Sequence, residues 1–279
     1  MSGAVASLRA AAGAVLEAVR QGCPEDPRTL PDAGFDPSFV DRTAPLLEFL
    51  WSKYFRVRLE GIENVPNEGS ALLVANHSGG LPYDGAMLIH ALHRHGKRPL
   101  RPLVANFAFR SSWMRPVIAR MGGVRASMQN ALDLVARGQL VGVFPEGLRG
   151  VGKMYRERYR LTYFGRGGFV RLARTAKVPI VPVAIVGAEE IHPVLGKLTR
   201  IAQPLGLPYI PITPTFPLLG PLGLLPMPTK WSMRIGTPIN LPAADPAVDD
   251  TLEVAELVRR RVDEMIAELL INRRSVIFG

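Results

Sequence analysis

A histidine and an aspartate share one short stretch, Asn76-His77-Ser78-Gly79-Gly80-Leu81-Pro82-Tyr83-Asp84, directly after the apolar run Ala71-Leu72-Leu73-Val74-Ala75. An imidazole is suited to take up and return a proton near neutral pH. A carboxylate on its second nitrogen fixes the tautomer and stabilises the imidazolium. Such a pair makes a general base for a hydroxyl. It also occurs as a purely structural hydrogen bond, and Asp84 alone could complement a helix dipole. A second cluster, Phe144-Pro145-Glu146-Gly147-Leu148-Arg149-Gly150, follows another apolar run, Leu140-Val141-Gly142-Val143. Its glycines let backbone approach a ligand closely, Arg149 can grip a phosphate with a planar fork, and Glu146 can accept from hydroxyls or orient that Arg. The plain alternative is a turn with a surface ion pair.

Elements that would position these groups can be read from pattern. Short apolar runs bounded by loop residues predict buried strands at 71–75, 140–144 and 180–186, with further strands at 56–62, 100–105 and 232–235. Helices are predicted over 2–20, 44–55, 84–95, 111–121, 130–137, 167–177 and 253–270, the last from apolar residues at 255, 258, 262, 265 and 269 that make one face. Pro82 suits the start of the helix that carries Asp84 in its first turn. Alternation of strands and helices predicts an α/β fold, with a mostly parallel central sheet flanked by helices, an N-terminal helical lead-in and a C-terminal helix. In such sheets ligands bind at the carboxyl ends of strands, where both clusters fall.

The 279 residues are ample for a large core, and 47% hydrophobic content excludes a disordered chain. Lys and Arg number 34 against 24 acids, a surplus that favours polyanions such as anionic lipid, nucleic acid or phosphorylated ligands. Cys23 is the single cysteine, so neither an internal disulfide nor a cysteine metal cluster is available. The uncharged stretch 201–229 contains eight prolines, among them Pro211, Pro217 and Pro221, which is incompatible with a membrane-spanning helix.

Asn76-His77 with Asp84, Phe144-Pro145-Glu146-Gly147 with Arg149, and Val178-Pro179-Ile180-Val181-Pro182-Val183 together resemble the glycerolipid (lysophospholipid) acyltransferase family, PlsC-like, over about residues 56–240. The resemblance implies a glycerol-3-phosphate acyltransferase-like fold and transfer of a fatty acyl group from a thioester to a lipid hydroxyl. Six residues separate His77 from Asp84, more than the family's usual gap, and the Ser-Gly-Gly-Leu-Pro insert is similar to the branch of monoacylglycerol and diacylglycerol acyltransferases. On the resemblance, His77 and Asp84 are catalytic, and Glu146, Gly147 and Arg149 bind the acceptor. Arg125, in Gly123-Val124-Arg125-Ala126, stands near the family's further acceptor-binding Arg. His77 would take the acceptor's proton as it attacks the thioester, with no covalent acyl-enzyme. Backbone N–H groups near Gly79, Gly80 or Gly147 could hold the oxyanion.

The expected co-substrate is acyl-CoA or acyl-carrier protein, with no cofactor and no metal: His192 follows Glu189-Glu190 without metalloprotease spacing, and His90, His93 and His95 read as packing or surface. Nine basic residues against one acid between Arg149 and Lys177 would attract an anionic membrane surface or CoA phosphates, or form a solvated face. Nucleic acid is not expected, for want of zinc-finger spacing, an RNP motif or interleaved aromatics. Two regions are expected: residues 1–55, helical and able to contact a membrane, and an acyltransferase domain over 56–279 containing the Pro-rich loop 201–229. That loop, the 44–55 helix and Trp113-Met114 are candidates for the lipid interface. The default acceptor is 1-acylglycerol-3-phosphate, the runner-up a mono- or diacylglycerol or long-chain alcohol, at the cytoplasmic face of a membrane. The rival from another class is a non-catalytic lipid-binding protein.

Overall fold

The computed structural model describes residues 2–22, 34–77, 82–161, 163–164, 166–202, 209–241 and 250–278. Seven strands form one sheet: β1 Arg58–Glu60, β2 Ala71–Ala75, β3 Leu100–Val104, β4 Val124–Arg125, β5 Leu140–Val143, β6 Ile180–Val186 and β9 Ser232–Ile235. They lie in the order β1-β9-β6-β2-β5-β3-β4. The five strands from β6 to β4 are parallel, while β9 runs against β6 and carries β1 parallel to itself. A second, two-stranded ribbon pairs β7 Gly196–Leu198 with β8 Ile210–Ile212.

β2 is the middle strand and is buried on both faces, which explains its unbroken apolar run. Alternation sends Leu72 and Val74 to one face and Ala71, Leu73 and Ala75 to the other. The first pair packs with helices α5 Met128–Ala136, α7 Gly168–Ala176 and α9 Thr251–Ile271. The second set packs with α3 Tyr83–Arg94, Trp231 and Phe55, whose rings stack at 4.5 Å. All five apolar positions read from the periodicity of the last helix are buried in α9.

α1 Ser2–Gln21 packs on α2 Pro37–Phe49 and on α4 Met114–Arg120. α2 starts two turns before the helix predicted at 44–55. Asp36 caps it by accepting from Phe39 N–H at 3.1 Å, and Pro37 occupies the first turn. It passes into a π-helical turn, Leu50–Tyr54, that places Trp51 and Phe55 in the core, so of that segment's rings Phe49 is the exposed one. The strand predicted at 56–62 shrinks to three residues. Gly61, at φ +77°, turns the chain into a 3₁₀ turn where a Cβ would stand 2.0 Å from Ile235 O.

The 201–229 stretch also departs from a plain loop: it holds β8, the end of a short helix (α8, Thr199–Ala202) and a 3₁₀ turn, Gly220–Leu224. Pro211 is tolerated because β8 has a single partner. Among the described residues, no helix is long and apolar enough to cross a membrane.

Candidate active site

Register brings the two polar clusters together. Val74 of β2 pairs with Val143 of β5, so His77 and Glu146, each three residues further on, leave adjacent strands at the same level. Strands about 4.8 Å apart then let one side chain reach the other's backbone. Glu146 Oε2 accepts from the His77 backbone N–H at 3.0 Å. On the other side of β2, the buried Asn76 continues the ladder with its side chain. Its Nδ2 donates to Ile185 O at 2.9 Å and its Oδ1 accepts from Ile185 N–H at 2.7 Å. The amide stands in for a peptide group where the backbone turns away toward Glu146, and so sets the exit direction of the His77 loop.

His77 Nδ1 lies 2.6 Å from Asp84 Oδ2, and Asp84 Oδ1 accepts from Gly85 N–H at 2.7 Å. The longer gap between the two residues therefore still returns the carboxylate to the ring. Asp84 is fully buried in the first turn of α3, whereas the His77 side chain keeps 16% of its surface exposed. Its Nε2 has no hydrogen-bond partner among the described residues, and the Phe144 ring packs against it at 4.7 Å. Burial works against the imidazolium, but the Asp84 carboxylate outweighs it, and His77 sits above the usual imidazole range. That is the arrangement of a base held in one tautomer with its other nitrogen open.

Glu146 is placed differently from the sequence expectation. It is buried; one oxygen holds His77 N–H and the other lies 2.7 Å from Lys153 Nζ. With both oxygens engaged inside the protein, Glu146 braces the His77 loop. Burial raises its pKa, and Lys153 opposes the rise. Gly147 adopts φ +53°, and its N–H already donates to Phe144 O at 3.0 Å, which removes it as an oxyanion donor. Gly79 and Gly80, the other suggested donors, lie outside the described residues, as does Cys23. Gly150 is required by packing: a Cβ there would stand 2.7 Å from Glu146 Cβ and 2.8 Å from His77 O.

Arg149 is exposed, with its guanidinium 4.3 Å above the Tyr163 ring, free to meet a ligand at the rim. Arg125 ends β4 at the same edge but three strands from β2, about 14 Å away at ordinary strand spacing, and its Nε donates to Asn106 Oδ1. Among the nine basic residues between 149 and 177, Arg156, Arg160, Arg166, Arg171 and Lys177 are exposed, while Arg174 pairs with Asp250. Two of the remaining histidines have structural partners: His90 Nε2 meets Glu48, and His192 Nε2–H donates to Leu224 O at 2.9 Å. Glu189 and Glu190 turn to Lys153 and Arg273 rather than to His192. Sequence reasoning missed the roles of Asn76, Lys153 and Glu189. Only Asn76, inside the recognised motif, carried any local signal.

The sheet is mostly parallel, and its middle strand ends in a carboxylate-steered imidazole. Residues 56–186 match the Acyltransferase family. An uncharacterized protein of Mycobacterium tuberculosis is 45% identical over 255 residues, covering 88% of this chain and 71% of that relative. A human protein named DGAT1/2-independent enzyme synthesizing storage lipids is 25% identical over 220 residues, covering 78% of this chain and 62% of its own. The crystal structure of the 1-acyl-sn-glycerophosphate (LPA) acyltransferase PlsC from Thermotoga maritima shares the fold, with a TM-score of 0.51 at 20% identity over 83% of this chain and 82% of that one. This chain belongs to the PlsC-like acyltransferase family, and it is an acyltransferase.

Proposed function

We propose that the enzyme moves a fatty acyl group from an acyl-CoA or acyl-carrier-protein thioester to the hydroxyl of a lysophospholipid, by default 1-acylglycerol-3-phosphate, with His77 as general base. The 2.6 Å contact between His77 Nδ1 and the buried Asp84 carries this reading. His77 Nε2 takes the hydroxyl proton as the alkoxide oxygen attacks the thioester carbonyl. The tetrahedral intermediate collapses with cleavage of the C–S bond, and the imidazolium gives its proton to the departing thiolate. Base assistance of this kind is worth about 10²–10⁴ in rate. Arg149, exposed at the rim, is the residue for the acceptor's phosphate. Arg125, across the sheet edge, suits a phosphate of a CoA donor. The chemistry needs no metal or cofactor.

The enzyme would work at the cytoplasmic face of an anionic membrane without crossing it. Leu218 and Leu222 are 84% and 69% exposed on the turn that ends at Leu225, and Leu219 and Leu225 extend the patch. That turn is tied to the wall of the site: Leu224 O accepts from His192, whose ring lies 6.3 Å from Tyr83, the neighbour of Asp84. No Asp or Glu occurs from residue 191 to 244, so anionic headgroups would meet no carboxylate from this stretch.

The second reading, a mono- or diacylglycerol acceptor, is favoured by the storage-lipid name of the human relative and by the long His77–Asp84 loop. Thiol release from a long-chain acyl-CoA, measured with each acceptor in mixed micelles, tests both. Wild type should release thiol with one acceptor class, and His77→Ala and Asp84→Ala should lose at least a hundredfold. Equal release by all three proteins would discard the base mechanism.

A further inference from the structure

Behind the His–Asp couple lies a buried ion cluster that the acyl-transfer chemistry does not by itself require. Lys153 follows the short helix α6, Gly147–Val151, and only 9% of its side chain is exposed. Its ammonium lies 2.7 Å from Glu146 Oε1 and 3.1 Å from Glu189 Oε1. The second oxygen of each carboxylate holds a backbone N–H: that of His77 at 3.0 Å for Glu146, and that of Tyr159 at 2.7 Å for Glu189. Tyr159 is in left-handed backbone at φ +64°, and its hydroxyl accepts from Gly187 N–H at 3.0 Å, which fixes this turn to the end of β6. An unbroken chain of contacts thus runs from the backbone of the base, through Glu146, Lys153 and Glu189, to the end of the neighbouring strand.

We propose that Lys153 is a positioning residue for acyl transfer: it holds Glu146 clamped on the His77 backbone amide, while Glu189 fixes the ammonium in place. The inference rests on the reading of His77 as the base. The geometry favours positioning over simple core filling, because an apolar side chain would fill the same space without orienting either carboxylate. A single ammonium shared by two buried carboxylates is a poor device for stability, since desolvation offsets most of the attraction. It is a good device for fixing the direction of a carboxylate whose partner is the backbone of a base. A catalytic group displaced by about 1 Å loses on the order of 100-fold in rate.

The groups facing this ammonium are Glu146 and His77 on the strand ends, Glu189 after β6, Arg158 and His192 across a crevice with room for about one water, and Asp263 of α9, which feels its charge. His192 is committed to Leu224, and Arg158 faces Glu190 at 3.9 Å. Removing the cation therefore acts chiefly on the two carboxylates, Glu146 and Glu189, and through Glu146 on His77. Without it the buried Glu146 keeps its proton to higher pH and holds His77 N–H less firmly. The imidazolium also loses a repelling neighbour. Because the active form needs Glu146 ionised to hold the His77 amide, its later deprotonation moves the acidic limb of the activity profile upward.

The test is kcat and acceptor KM against pH for Lys153→Met, Lys153→Arg and Glu189→Gln, with His77→Ala in parallel and thermal melts on each. Lys153→Met should lower kcat ~10- to 100-fold at neutral pH with acceptor KM within about twofold. Its acidic limb should rise. Lys153→Arg, which keeps the charge, should recover part of the rate and return the limb toward wild type. Glu189→Gln, which leaves the ammonium wholly to Glu146, should not move the limb upward. A Lys153→Met enzyme within threefold of wild type and with an unshifted limb overturns the proposal, provided His77→Ala is inactive. An active His77→Ala would instead sink the base reading itself. Should Lys153→Met fail to fold, an upward limb in Glu189→Gln, or Lys153→Arg no better than background, overturns it equally.

Discussion

Asp84→Asn isolates the contact on which the mechanism turns, because it keeps the shape of the side chain and removes its charge. Asp84 uses both oxygens as acceptors, Oδ2 for His77 Nδ1–H and Oδ1 for Gly85 N–H. Asparagine can satisfy one of them and must present an N–H₂ group to the other. Facing the ring, that group forces the proton onto Nε2 and leaves no lone pair for the substrate hydroxyl. Facing Gly85, it sets donor against donor in a fully buried place. A hydrogen bond to a charged group is worth about 1.5–3 kcal/mol, which is roughly 10- to 150-fold in rate before any tautomer effect. The ceiling is the full benefit of base catalysis, about 10⁴. The expected loss in kcat is thus between about tenfold and 10⁴-fold. The pH profile gives a second, independent sign. Asp84 holds the His77 pKa up, so the wild-type rate climbs with pH through a value above the ordinary imidazole range. In Asp84→Asn the limb should move to lower pH. The same pair is a linkage contribution to stability: present in full below the unfolded imidazole pKa, and lost as pH rises through the raised folded value. The assay is continuous thiol detection between about pH 5 and 9, with melts at each pH. A variant within threefold of wild type and with an unmoved limb would refute the reasoning.

Three other outcomes follow from separate parts of the molecule. Leu218→Glu with Leu222→Glu should weaken partition onto anionic vesicles. Full burial of a leucine is worth about 1.5–3 kcal/mol, and scaling by the exposed fractions of 84% and 69% makes this roughly 40- to 2,000-fold, read by vesicle flotation, with thiol release toward a water-soluble short-chain acceptor retained. Undiminished flotation would remove the turn from the membrane interface. Asn76→Ala leaves the N–H and C=O of Ile185 unpaired in the core, each at about 1–3 kcal/mol, so the melting temperature should fall by roughly 5–20 °C and activity with it. Arg149→Ala should raise KM about 10- to 150-fold for a phosphate-bearing acceptor with little change in kcat, and leave monoacylglycerol turnover unaffected; equal effects on both would deny Arg149 a phosphate role.

What could be read in the chain and what could not divides along a physical line. The core strands were legible because burial on both faces demands continuous apolar runs, and 71–75 and 180–186 are such runs. The closing helix was legible because one buried face imposes a period. The two-residue β4 and the ribbon of β7 and β8 left no mark, since pairs this short are set by their neighbours rather than by their own residues. Helix α2 was placed too late because Pro45 reads as a breaker, yet the helix continues through it.

The site divides in the same way. His77 and Asp84 were legible as a pair because both lie on one loop, within a single strand-to-helix connection. The partner of Glu146 was not, because Lys153 lies beyond a short helix and meets Glu189 36 residues further along the chain. Charge counting alone put Lys153 in a basic stretch facing lipid; burial gives it a different part. Its neighbours Arg156 and Arg160 are exposed, so the same run of sequence supplies both a solvated cationic surface and one cation turned inward. Desolvation explains why the inward one must be paired. An ammonium this deep is tolerable only when paired with carboxylates, and the two available are the one that holds the His77 backbone and the one that ties the cluster to the end of β6. The resemblance to acceptor-binding glutamates in the Phe-Pro-Glu-Gly turn thus meets a buried side chain whose two oxygens are each engaged inside the protein. On the proposed function, discrimination of the acceptor would fall to exposed groups at the rim, Arg149 foremost, which is why the Arg149→Ala comparison between charged and neutral acceptors separates the two readings of this enzyme's product.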